Sequence, residues 1–139
     1  MTQKNPSSQS FEELKGGNES ILVVEDEEIV RTMISTILEN FGYEVIGADS
    51  GKQAIDIYKN HHKPIHLLIT DVVMPGMNGR LLAEKLMHRN PELKVLYISG
   101  YTEDAIIHHG VLDRETPFLK KPFDPGTLAR KVREILDGK

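Results

Sequence analysis

Short runs of consecutive apolar residues alternate along the chain with longer segments in which apolar residues recur every three or four positions. The run at 21–24 is apolar throughout and ends in acidic residues, which is typical of a strand buried on both faces of a sheet. Over 27–41 the apolar positions have helical spacing, and Gly42 stands where a left-handed cap is favoured. This part of the chain therefore predicts a buried strand followed by an amphipathic helix.

The same alternation of strand and helix continues toward the end of the chain. Cap signals mark several helix starts: Ser50 with Gln53, Thr102, and Asp124 followed by Pro125. Five strands alternating with five helices predict an α/β fold with a doubly wound parallel sheet, which binds ligands at the carboxyl ends of its strands. The further strands are predicted at 43–48, 66–71, 94–99 and 117–120, and the further helices at 51–60, 79–89, 103–109 and 125–136.

Composition adds limits on the class of protein. The chain has 139 residues, 39% hydrophobic and 27% charged, and no cysteine, which excludes disulfides and thiolate metal sites. No apolar run approaches a membrane span and no signal-peptide pattern follows Met1, which favours a cytoplasmic protein without direct membrane contact. A formal net charge of −4 gives no signal for direct nucleic-acid binding.

The first residues differ in composition from the rest of the chain. Ser, Gln, Asn and Gly are frequent over 1–19, and apolar residues are few. We therefore predict a linker or disordered tail over 1–19, with at most a short helix around 11–15, and one folded domain over 20–137.

Polar and charged residues stand where four of the predicted strands end. Glu25 and Asp26 follow the first strand, Asp71 ends the third, Ser99 ends the fourth and Lys121 follows the fifth. Because the carboxyl ends of parallel strands meet at one edge of a sheet, these side chains are expected to lie close together. Three carboxylates facing one lysine leave negative charge uncompensated, and Mg²⁺ suits such a site.

Four short motifs coincide with these strand ends. They are VEDE at 24–27, TDVVMPGMNG at 70–79, SGY at 99–101 and KPF at 121–123. With these motifs in this order, the chain resembles the receiver domain of two-component response regulators over about residues 20–137. The resemblance implies a flavodoxin-like (βα)5 sheet with strand order 2-1-3-4-5. It also implies a phosphorelay receiver that assists its own phosphorylation and is not an independent enzyme.

The resemblance further implies a role for each residue of the predicted site. Asp71 would accept a phosphoryl group from the phosphohistidine of a histidine kinase or phosphotransfer protein. Glu25, Asp26 and Asp71, together with the backbone carbonyl of Val73, would bind Mg²⁺. Lys121 would contact the phosphoryl oxygens.

Two further residues would form a switch by the same resemblance. Ser99 would turn inward to bond to a phosphoryl oxygen, and Phe118 would move with it. Their movement would reshape the face made by the fourth helix, the fifth strand and the fifth helix. A homodimer through that face is a further expectation.

Three positions depart from the pattern that the family usually shows. Glu25 stands where Asp is usual, although its longer arm should still reach a metal-bound water, and Phe118 stands where Tyr is usual. Val73, two residues after Asp71, has no side-chain group that could orient an attacking water. We therefore predict that the phosphorylated form hydrolyses slowly.

Other functions are compatible with an acidic strand end in such a fold. A phosphatase of the haloacid dehalogenase type forms an aspartyl phosphate but needs a second acid at the position of Val73, and a flavodoxin-like carrier needs a phosphate cradle where VEDE stands. Within the receiver family, the sequence is consistent with a stand-alone regulator and with the C-terminal receiver of a hybrid histidine kinase. The segments GGNES at 16–20 and SGYTEDA at 99–105 resemble hybrid-kinase receivers and favour the second.

Overall fold

A computed structural model describes residues 15–138, which contain a five-stranded parallel sheet. Its strands are β1 (Ser20–Val24), β2 (Glu44–Ala48), β3 (Leu67–Asp71), β4 (Lys94–Ser99) and β5 (Phe118–Lys120). Their spatial order is β2-β1-β3-β4-β5, which confirms the predicted doubly wound topology. Each strand lies within one residue of its predicted bounds, which is the usual uncertainty at element ends.

Five helices connect and follow these strands. They are α1 (Glu28–Asn40), α2 (Gly51–Asn60), α3 (Gly79–Arg89), α4 (Glu103–His108) and α5 (Pro125–Leu136). The predicted caps are confirmed, since the side chains of Ser50, Thr102 and Asp124 each accept a hydrogen bond from a backbone N–H of the first turn. Gly42 has φ +96°, as predicted for a left-handed position after α1. Within residues 15–138, no helix has the length and apolar character to span a membrane.

The core has two parts, one on each face of the sheet. Residues of α2, α3 and α4 cover one face, and residues of α1 and α5 cover the other. The central strands β1 and β3 are buried throughout because both of their faces are covered. This explains why their sequences are apolar runs and do not alternate.

Helix α1 buries only part of its apolar surface. Ile34 and Leu38 are buried, whereas Ile29 is 85% exposed and Met33 is 40% exposed. The row of apolar residues that starts at Ile29 with a spacing of four moves around the helix, because one turn contains 3.6 residues. The exposed end of that row lies at the start of α1, directly after the acidic residues that follow β1.

The register of the strands places the predicted site at one edge of the sheet. Val24 is level with Thr70, Asp71 is level with Ile98, and Ser99 is level with Lys120. The residues at or just beyond these pairs are the charged and polar ones that the sequence analysis assigned to the site. They meet at the carboxyl ends of the strands, as expected for this topology.

The residues immediately before β1 pack on the domain through Arg133 of α5. Its guanidinium donates to the Gly16 carbonyl at 3.1 Å and to both carboxylate oxygens of Glu19, the shorter bond being 2.7 Å. The Gly17 N–H donates to the Phe41 carbonyl at 3.0 Å, and a Cβ at Gly16 would overlap the same carbonyl. The last part of the predicted 1–19 tail therefore lies against the domain. The short helix predicted around 11–15 falls, except for its last residue, outside the described residues.

Candidate functional site

Asp71, the last residue of β3, presents its carboxylate at the carboxyl edge of the sheet with 8% of its side chain exposed. Its Oδ1 accepts a hydrogen bond from the Val73 N–H at 3.1 Å, and its Oδ2 lies 2.8 Å from the Lys121 Nζ. The first residue of α3 is Gly79, where a Cβ would overlap the Asp71 carbonyl. A glycine is therefore required for α3 to start this close to Asp71.

Lys121 connects several carboxylates of the site. Besides Asp71, its Nζ donates to the Glu25 Oε2 at 3.0 Å and lies 3.7 Å from the Glu27 Oε1. Its backbone N–H donates to the Ser99 carbonyl at 2.7 Å, which continues the pairing of β4 and β5 and fixes where the side chain starts. Burial alone would lower the pKa of Lys121, but the hydrogen bonds to Asp71 and Glu25 raise it, so the ammonium keeps its charge.

Glu25 is the most deeply buried carboxylate of the site, with no exposed surface. Burial raises the pKa of Glu25 to about 7, although hydrogen bonds from the Glu27 amide and from Lys121 act in the opposite direction. The neighbouring carboxyl groups of Asp26 and Asp71 raise it further.

Three carboxylates form a set that suits a hard cation. Glu25, Asp26 and Asp71 each bring one oxygen to within 4.8 Å of the others, and Asp26 is the exposed member of the set. Carboxylate oxygens are ligands that Mg²⁺ prefers, with waters completing the shell. Val73 lies beside this set through the bond of its N–H to Asp71, and its side chain is 53% exposed.

The two predicted switch residues lie on neighbouring strands. Ser99, with 1% exposed surface, accepts a hydrogen bond at its Oγ from the Tyr101 N–H at 3.0 Å. Phe118 is half-buried at the start of β5, level with Tyr97, and packs on the core part that α2, α3 and α4 cover. In this conformation the Ser99 hydroxyl is therefore bonded within its own loop.

Two residues contact the site without having been predicted to do so. The Arg31 guanidinium donates to the Glu25 carbonyl at 2.7 Å, and the Glu27 carboxylate approaches Lys121 while remaining 65% exposed. A signal for the first contact exists in the sequence. Arg31 stands one helical turn after the VEDE motif, and helical side chains point back toward the N-terminus of their helix.

Comparison with known proteins assigns the family. The family model of the response regulator receiver domain matches residues 21–133, a range that includes every residue of the site. The chain belongs to the response-regulator receiver family. A receiver domain is a phosphoacceptor signalling domain, and neither the dehalogenase-type phosphatase nor the flavodoxin-like carrier is supported by the relatives.

The relatives include a sensor kinase that is much longer than this chain and a short regulator. Sensor kinase CckA of Brucella abortus is 37% identical over 121 residues, which cover 87% of this chain but only 13% of that protein. The response regulator receiver protein CpdR of the same organism is 33% identical over 116 residues, 84% of this chain and 95% of that protein. The crystal structure of the receiver domain from hybrid histidine kinase CckA superposes with a TM-score of 0.71 at 38% identity, over 84% of this receiver chain and 98% of that chain.

The raised pKa of Glu25 predicts how stability changes with pH. A carboxyl with a higher pKa in the folded than in the unfolded chain makes the folded state bind more protons between the two values. The free energy of unfolding should therefore fall as pH rises from about 4.5 to about 7. We expect Glu25→Gln to exceed the wild-type receiver in stability at pH 8, in EDTA, and to lose this advantage at pH 4.

Urea unfolding of both proteins across this pH range measures the effect. Glu28→Gln removes the same charge from an exposed residue of the same region and should leave the pH dependence unchanged. A Glu25→Gln protein that is less stable than wild type at pH 8 would contradict the prediction.

Proposed function

We propose that Asp71 is the phosphoryl acceptor of this receiver domain, with the phosphohistidine of a histidine kinase or phosphotransfer protein as donor. The observation that supports this most directly is the Lys121 ammonium, 2.8 Å from a carboxylate at a strand end that keeps 8% of its side chain exposed. A carboxylate is ionised at neutral pH and acts as a nucleophile without a general base.

The proposed transfer forms a P–O bond to an Asp71 oxygen and breaks the P–N bond of the donor, whose imidazole nitrogen keeps the electron pair. Phosphoryl transfer depends on positioning and on stabilising the charge of the phosphoryl oxygens. Lys121 already bridges Asp71 and Glu25, so its ammonium is placed to contact those oxygens. The Val73 N–H, bonded to Asp71, helps to orient the nucleophile.

Mg²⁺ is the proposed cofactor of this transfer. Glu25, Asp26, Asp71 and the Val73 carbonyl would hold it, and the bound ion would neutralise charge on the phosphoryl oxygens. The donor set fits because three carboxylates, one of them fully buried, bring oxygens to within 4.8 Å of one another. At Glu25, the longer side chain suits a contact through a metal-bound water.

Ser99 and Phe118 are the proposed switch. Phosphorylation would draw the Ser99 hydroxyl from its bond with Tyr101 toward the phosphoryl group, and Phe118 would occupy the space that this leaves.

Beryllofluoride, which mimics the phosphoryl group, should therefore shift the amide NMR signals of Phe118 and its neighbours. Shifts limited to residues around Asp71 would contradict a coupled switch.

The proposed phosphohistidine donor also indicates where the domain would act. It would act in the cytoplasm, where kinases and phosphotransfer proteins supply phosphohistidine, and without direct contact to nucleic acid or membrane. Similarity to a segment of sensor kinase CckA favours a hybrid-kinase origin, whereas similarity to nearly all of CpdR favours a stand-alone regulator. A homodimer would use the face of α4, β5 and α5.

Wild-type protein tests the proposal most simply. Incubated with acetyl phosphate and Mg²⁺, it should gain the mass of one phosphoryl group in intact-mass spectra, and hydroxylamine should remove it, since an acyl phosphate reacts with this nucleophile. EDTA should prevent the gain. A hydroxylamine-resistant phosphate would reject an aspartyl phosphate.

Position 73 should control how long the phosphoryl group remains. Hydrolysis needs a water in line behind the phosphorus, and Val73, next to the Asp71 carboxylate, offers only methyl groups to hold it. We expect Val73→Asn to lose label several-fold faster than wild type, because the Asn side chain can hold the attacking water by a hydrogen bond. Val73→Ala separates the two explanations, because it removes bulk without adding a hydrogen-bonding group. Equal acceleration by both variants would show that bulk alone limits hydrolysis.

A further inference from the structure

Arg31 of α1 makes two bonds to the acidic turn 25–27, of which the backbone bond is the ordinary helical one from residue 31 to residue 27. Its backbone N–H donates to the Glu27 carbonyl at 2.9 Å, and its guanidinium Nη1 donates to the Glu25 carbonyl at 2.7 Å. Asp26, the exposed member of the three-carboxylate set, lies between these two carbonyls. The Arg31 side chain thus bonds to the first residue of the turn that carries two of the three clustered carboxylates.

The guanidinium bond completes the contacts of Glu25. The Glu25 N–H donates to the Ala48 carbonyl at 3.1 Å, and its two carboxylate oxygens accept from the Glu27 N–H and from Lys121. The carbonyl is its remaining polar group, in a residue with no exposed surface. A buried carbonyl without a donor is costly, and a short bond from a charged donor is among the stronger ones.

The stem of Arg31 is supported as well. A Cβ at Gly47 of β2 would lie 3.4 Å from the Arg31 Cδ, so the methylenes of the half-buried arginine pass over this strand. Packing of the stem limits the rotamers of the side chain. The guanidinium is therefore held at the Glu25 carbonyl from two directions, by the bond and by the strand below it.

We propose that Arg31 is a positioning residue that orders the Glu25–Asp26 turn for a hard divalent cation, and so for phosphoryl transfer. The inference rests on the proposed function for the identity of the cation. Arg31 has two opposite effects, since its charge repels a cation while its bond holds the ligands in place. The ordering effect outweighs the repulsion, because the bond is short and the carbonyl is buried. Replacing a residue that hydrogen-bonds to the metal ligands without contacting the metal typically lowers metal affinity by about 10–100-fold.

Two variants separate ordering from charge. Arg31→Met keeps the apolar stem and removes both the donor and the charge, whereas Arg31→Gln removes the charge and keeps a neutral donor. Arg89→Met is the matched control, because Arg89 is exposed at the end of α3 and its loss changes the net charge equally. Mg²⁺ titration followed by NMR gives the affinity. Exchange of the Glu27 N–H in EDTA reports the order of the turn without any metal.

Ordering predicts a dissociation constant for Mg²⁺ at least about tenfold higher in Arg31→Met, an intermediate value in Arg31→Gln and no change in Arg89→Met. The Glu27 N–H should exchange faster in Arg31→Met than in wild type. Saturating Mg²⁺ should restore the rate at which acetyl phosphate labels the Arg31→Met protein. Mg²⁺ binding by Arg31→Met and Arg31→Gln that is as tight as in wild type would overturn the inference. Tighter binding than in wild type would overturn it as well and would indicate that the charge of Arg31 repels the cation. Wild-type protein that binds no Mg²⁺ would instead reject the proposed metal site, and with it the inference.

Discussion

Asp71→Asn protein is expected to take up no hydroxylamine-sensitive phosphate from acetyl phosphate or from a donor kinase. The carboxamide keeps the shape of the side chain but lacks the ionised oxygen that attacks phosphorus. Lys121 keeps its bond to Glu25 in the variant, so the surrounding site should remain formed. Intact-mass spectra after incubation with Mg²⁺ and donor measure the loss.

Two controls make this result specific. Asp113→Asn removes the same charge from an exposed carboxylate outside the site and should label like wild type. Thermal unfolding of Asp71→Asn should show a cooperative transition, which separates lost chemistry from lost folding. Labelling of Asp71→Asn to the wild-type extent would mean that another residue is the acceptor.

Asp26→Asn protein is expected to bind Mg²⁺ with an affinity at least about tenfold below that of wild type. The site has few protein ligands, so the loss of one carboxylate removes a large share of the attraction for the ion. Because Asp26 is exposed, the substitution should leave the fold and its stability nearly unchanged. Calorimetric titration with MgCl₂ measures the affinity.

Glu28→Gln provides the matched comparison for Asp26. Glu28 is also acidic and exposed, and lies two residues further along, in the first turn of α1. If proximity to the acidic region alone attracted the ion, both variants would weaken binding equally. Such equality would contradict a direct role for Asp26.

The edge of the sheet that carries the site was predictable because strand ends and charged residues coincide in the sequence. The apolar run of β1 stops at Glu25, and Asp71 ends the buried strand β3. Parallel strands then bring these positions together without any knowledge of side-chain contacts. Family motifs added the role of Lys121, whose contact with Asp71 is present in the structure.

The difference between the two neighbouring acids was not predictable from composition or spacing. Glu25 continues the pairing with β2 through its N–H bond to Ala48, which directs its side chain into the protein. Side chains alternate along extended backbone, so Asp26 faces outward. The contact of Gly79 likewise depends on how closely α3 approaches the sheet, which local sequence patterns do not encode.

The hydrogen bonds from Arg133 to Gly16 and Glu19 have a mechanical consequence. The chain enters β1 while bonded to α5 through Gly16 and Glu19, and Gly17 is bonded to the Phe41 carbonyl at the end of α1. A displacement of α5 would therefore also displace the chain that enters β1, because Gly16 and Glu19 are bonded to Arg133 of that helix.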